Sequence, residues 1–107
     1  MDLNEIVSRF EGLTICDERE KQEDYVEVVI LSDDMSQWIS IISDILGVPL
    51  KPAGEKPTKE QQKIAKEYGG IEKEQTLFYK EFDGGRIVAM FWPWSIGEQV
   101  TLKIINE

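Results

Sequence analysis

The sequence predicts an α+β fold: an antiparallel sheet of four to five strands, with two to three helices packed mainly on one face. Three observations carry this expectation. The β-type patterns are grouped rather than interleaved singly with helices, in the order α–β–β–α–α–β–β–β. Residues 99–105 alternate cleanly, with Val100, Leu102 and Ile104 on one side and Gln99, Thr101 and Lys103 on the other, as in a sheet with one wet face. Residues 35–46 carry one wide apolar helical face of Met35, Trp38, Ile39, Ile42, Ile45 and Leu46, with Gln37, Ser40, Ser43 and Asp44 opposite. A length of 107 residues with 41% hydrophobic content suits one core, so residues 1–107 are expected to form a single compact domain.

Each element has its own signal. In residues 2–11, Leu3, Ile6, Val7 and Phe10 share one helical stripe. Asp2 is placed to cap this helix, Glu5 follows in the capping-box position, and Gly12 is a stop. Leu13 to Cys16 is expected as a short strand. Residues 17–24, eight polar side chains in a row, are expected as a solvated turn or loop. The β-branched run Tyr25 to Leu31 reads as a central strand. Ser32, Asp33 and Asp34 open the 35–46 helix, and Gly47 and Pro49 end it.

Residues 47–57, with Pro49, Pro52, Gly54 and Pro57, form a stiff connector. Thr58 and Gln61 match a capping box, and the helix behind it runs to about Tyr68 before Gly69-Gly70. Its stripe of Ile64, Ala65 and Tyr68 is thin, so this helix docks by one edge. Thr76 to Phe82 and Arg86 to Trp92 flank Asp83-Gly84-Gly85 as a hairpin. A Gly84-Gly85 loop would set Phe82 opposite Ile87, whereas an Asp83-Gly84 loop would pair Glu81 with Arg86.

Composition excludes much chemistry. The chain has no histidine and one cysteine, Cys16. That removes the usual neutral-pH general base, His-containing zinc sites and Ser-His-Asp or Cys-His nucleophile systems. A single cysteine cannot form an internal disulfide, which favours a reducing, cytoplasmic setting. The first residues hold neither the basic nor the apolar segment of a signal peptide, and no apolar run reaches the ~20 residues of a membrane span. Net charge is −9, and residues 1–50 alone hold 12 acids and 3 bases. Such a surface repels nucleic acid and anionic membrane, so neither is expected as a partner. No cofactor and no metal are expected.

The polar constellations read as structure. Asp33 and Asp34 serve a helix start before they serve a metal. Glu81, Asp83 and Arg86 frame a turn. Cys16 is expected in the core, since acidic neighbours disfavour a thiolate. Lys51, Lys56, Lys59, Lys63, Lys66 and Lys73 read as a solvated cluster interleaved with glutamates. No catalytic residue is assigned.

The most distinctive stretch is Phe91-Trp92-Pro93-Trp94. Trp92 points away from Phe91, so one of the two tryptophans is expected to be half exposed. Phe78, Tyr79, Trp92 and Trp94 are therefore the candidate partner-binding residues, since Trp and Tyr dominate interface hot spots. The expected function is a small acidic, non-enzymatic interaction or regulatory module, inhibitor- or adaptor-like, binding another protein or itself as a homodimer. One alternative is a small-molecule pocket between the sheet and helix 35–46. Another is a carboxylate or metal-dependent enzyme using Asp33, Asp34, Lys80 and Glu81.

Overall fold

A computed structural model describes residues 2–107. Three helices, α1 (Leu3–Ser8), α2 (Met35–Leu46) and α3 (Lys59–Ala65), accompany five strands. The strands are β1 (Asp17–Lys21), β2 (Tyr25–Leu31), β3 (Thr76–Phe82), β4 (Gly85–Pro93) and β5 (Gln99–Asn106). All pair antiparallel in one sheet, ordered β1-β2-β5-β4-β3. This is the α+β arrangement that the grouped strand patterns predict.

Alternation divides the side chains between two faces. The first face carries Val26, Val28, Ile30, Phe78, Ile87, Ala89, Phe91, Val100, Leu102 and Ile104. It is covered by α1 and α2 through Leu3, Ile6, Phe10, Trp38, Ile42, Ile45 and Leu46. Phe10 and Trp38 meet with ring centroids 4.6 Å apart. The second face receives α3: Ala65, Ile64, Tyr68 and Ile71 pack on Leu77, Val88, Met90 and Ile105. β4 thus lies between two layers, which explains its unbroken apolar run.

Local signals work as expected at several joints. Asp2 Oδ1 accepts from the Glu5 N–H at 3.0 Å. Thr58 and Gln61 form both bonds of a capping box, 3.2 and 2.9 Å. Gly47 stops α2 with φ +84°. The hairpin takes the Asp83-Gly84 loop, pairing Glu81 with Arg86 and Phe82 with Gly85.

Four expectations are corrected. No strand forms at Leu13–Cys16; the strand starts at Asp17, inside the segment expected as a loop. β1 is Asp-Glu-Arg-Glu-Lys, exposed throughout, so neither of its faces prints a hydrophobic period. Backbone pairing to β2 holds it, and a bulge between Glu18 and Glu20 takes Arg19 out of register. A charged, bulged edge also resists pairing with foreign strands.

Cys16 is exposed rather than in the core. Asp33 and Asp34 lie in a 3-10 turn, Ser32–Asp34, without a side-chain cap bond. Lys51 is not a solvated lysine: it is 1% exposed, and its Nζ donates to the carbonyls of Pro52, Lys73 and Gln75 at 3.0, 2.8 and 2.5 Å.

Candidate protein-interaction surface

α3 covers only part of the second face. Elsewhere the face is partly covered, with Val29 1% exposed and Asp17 and Glu20 exposed at the β1 edge, and strand register sets its residues in rows. Trp92, Thr101, Val29 and Asp17 form one row across β4, β5, β2 and β1. Met90, Lys103, Glu27 and Glu20 form the next. Gln99, Thr101 and Lys103 are the wet side of the β5 alternation, and all three are half-buried.

Trp92 and Trp94 both belong to this surface, with different duties. The Trp92 ring is wedged under the end of α3: a Cβ at Gly69 would lie 2.3 Å from Trp92 Cη2. The Lys103 Nζ sits 3.6 Å from the same ring's centroid and donates to the Tyr68 carbonyl at 3.1 Å. Trp92 is therefore mainly a docking ring for α3. Its Nε1 is buried without an acceptor among the described residues, a cost of about 1–3 kcal/mol that the packed ring offsets.

Trp94 lies beyond Pro93 and is half-buried. Its Nε1 donates to Thr101 Oγ1 at 2.8 Å, and the Arg19 guanidinium lies 5.8 Å from its ring. The hydrogen bond fixes the indole and leaves part of the ring accessible. Its neighbour Ile96 is 77% exposed. Gly97, with φ +79°, closes the Trp94–Gly97 turn by donating to the Trp94 carbonyl at 2.9 Å. Ser32 pins the turn, its hydroxyl donating to the Gly97 carbonyl at 2.6 Å and its N–H to the Glu98 carbonyl at 3.0 Å. Leu31, 40% exposed, lies alongside, and Leu31, Ser32, Asp33, Gly97 and Glu98 line a shallow cleft of about 290 Å³.

The other predicted residues separate. Phe78 is fully buried on the first face, with Phe91 6.0 Å away, so it has no part in a surface. Tyr79 lies on the second face near the β3 edge, donating to Glu81 at 2.9 Å beneath the Arg86 guanidinium. Arg86 reaches the Glu107 carboxylate, Nε at 2.8 Å, rather than Glu81 across the hairpin. The space between the sheet and α2, the suggested ligand pocket, is occupied by Trp38, Ile42 and Phe91, all fully buried. A cleft of about 650 Å³ beside α3 is walled by Lys59, Gln62, Lys63, Lys66, Gly69 and Gly70, with no aromatic or carboxylate side chain among them. Ile96, Leu31 and the Ser32 tether were missed in the sequence: Leu31 and Ser32 reach Gly97 and Glu98, next to Ile96, only because β2 and β5 pair.

Titration shifts on this face follow burial. Burial pushes the Lys103 ammonium below its usual range, opposed by Glu27. Burial raises the Tyr25 phenol well above its usual 10.0, and its hydrogen bond to Glu27 adds to this. Tyr68 is raised by burial and by its hydrogen bond to Glu107. A raised phenol stabilises the fold fully below the unfolded value near 10, and that contribution is lost as pH rises above it. The lowered ammonium groups of Lys51 and Lys103 act in the opposite sense, so the phenols are best followed directly. In alkaline titration monitored by phenolate absorbance, Tyr25 and Tyr68 are expected to ionise only well above 10 or together with unfolding. Ionisation of Tyr25 and Tyr68 near pH 10 with the fold intact would contradict these contacts.

No family model matches the chain, nor does any curated protein or solved structure. No helix among the described residues is long and apolar enough to cross a membrane.

Proposed function

We propose that this chain is a small acidic protein-interaction module, inhibitor- or adaptor-like, that works by contact rather than by catalysis. The observation behind it is the Trp94–Gly97 turn, with Ile96 77% exposed and Leu31 40% exposed, at the end of a sheet face that α3 covers only in part. Trp94 is a half-accessible ring held by one hydrogen bond, the kind of rigid anchor that carries interface energy at little entropic cost. Trp92 and Tyr79 border the same face. The absence of histidine fits a module without acid–base work near neutral pH. An exposed lone thiol suits a reducing compartment such as the cytoplasm.

Selection of displayed random peptides against the folded chain tests this reading. Peptides that bind the wild type are expected to lose about tenfold or more in affinity on Trp94→Ser, measured well below the variant's own thermal midpoint. No enrichment, or binding indifferent to Trp94→Ser and Ile96→Ser, would overturn it.

A further inference from the structure

Charge around the exposed turn names the partner's chemistry. Resting on the interaction reading above, we infer that the surface formed by Leu31, Trp94 and Ile96 receives a cationic amphipathic segment of another protein. Such a segment places an aliphatic or aromatic anchor on the turn and lysine or arginine around it.

The anchor follows from exposure. Ile96 and Leu31 are 77% and 40% exposed within one corner of the sheet, so a partner can bury apolar area there without rearranging the fold. The cations follow from the rim. Asp33 and Glu98 line the cleft beside Leu31, and Asp34 follows Asp33 in the same turn. Among the described residues, none of these three carboxylates has an ion pair or a hydrogen bond from a side chain. Arg19, the base near Trp94, is already shared between that ring and Asp17, 3.4 Å away. The rim is thus uncompensated negative charge around an apolar centre.

The same charge argues against a second copy as occupant. An isologous contact centred on this turn would bring the Asp33, Asp34 and Glu98 rims of two chains together, each chain of net charge −9. Exposed carboxylates add little affinity at physiological salt but select the sign of the partner and speed encounter. The apolar anchor supplies the residence time.

Three synthetic peptides of equal length test this by fluorescence anisotropy: an amphipathic Leu/Lys peptide, its Leu/Glu counterpart and oligolysine. The Leu/Lys peptide is expected to bind about tenfold or more tightly than either of the others at 0.15 M salt. Ile96→Asp, on an exposed turn, is expected to weaken it about tenfold, as is the triple change Asp33→Asn, Asp34→Asn, Glu98→Gln. Equal binding of oligolysine would overturn the anchor, and equal binding of the Leu/Glu peptide would overturn the cationic requirement. Failure of all three would overturn the inference, as would binding unaffected by either variant. If displayed peptides without basic residues still bind in a Trp94-dependent way, the interaction reading stands while this partner class falls.

Discussion

Replacing Lys51 with methionine is expected to cost about 3 kcal/mol of folding stability. An ammonium has three N–H donors, and Lys51 spends all three on backbone carbonyls, those of Pro52, Lys73 and Gln75. Its own backbone also exchanges two bonds with Leu77, at 3.1 and 3.0 Å. One side chain therefore straps the 47–57 connector to the segment entering β3 and covers the start of that edge. Methionine keeps the apolar stem but withdraws the charged donor from three carbonyls at once. Each such bond is worth about 1.5–3 kcal/mol, and water entering the site recovers part of the loss. Urea unfolding is the check: the midpoint falls while the slope stays constant. A loss under about 0.5 kcal/mol would mean that Lys51 behaves as an ordinary surface lysine. Charge burial has a pH signature as well. The lowered pKa of Lys51 means that wild-type stability gains from this group as pH rises toward the usual ammonium value near 10.5.

Gly69→Ala is the second large effect, at about 2–4 kcal/mol. Gly69 has φ +104°, a conformation that L side chains avoid at roughly 1–2 kcal/mol. The new Cβ would also stand 2.3 Å from Trp92 Cη2. Trp92 cannot swing aside freely, because Lys103 lies on its ring and the ring packs against the buried cluster that includes Ala65, Ile71 and Met90. Gly70 is the internal control: its φ is +84° and its Cβ would meet open space. Gly70→Ala is expected to cost only the backbone strain. Paired thermal melts give the difference between the two variants, which is the steric contribution of Trp92. Equal losses would contradict the wedge of Trp92 under α3.

Much of the fold was legible because burial leaves a period. α2 shows it in Trp38, Ile42 and Ile45, β5 in Val100, Leu102 and Ile104, and both align with what they bury. The capping box at Thr58 was legible from two residues, since its bonds are local. β1 was not, because an exposed edge strand buries neither face and is held by backbone bonds that any sequence can make. Lys51 was not, because two of its three acceptors lie 22 and 24 residues away. The side of the sheet that α3 takes was also hidden: a thin stripe states that a helix docks, not where.

The candidate surface shows the same division. Trp92 and Trp94, two residues apart, share a face as alternation requires, and Phe78 is buried on the other. That Trp92 serves α3 depends on Gly69, and that Trp94 stands beside Leu31 and Ile96 depends on β2 and β5 meeting. Two-residue spacing predicts the face, while the neighbours on it come from pairing across the chain.

The most direct measurement is backbone nitrogen–proton correlation spectroscopy of the folded chain during titration with the Leu/Lys peptide. The expected result is shifts confined to residues 15–19, 29–34 and 94–101, with α1 and the β3 edge silent. Shifts centred on Lys59, Lys63 and Lys66, or spread evenly over the acidic surface, would contradict a binding site at the Trp94–Ile96 turn.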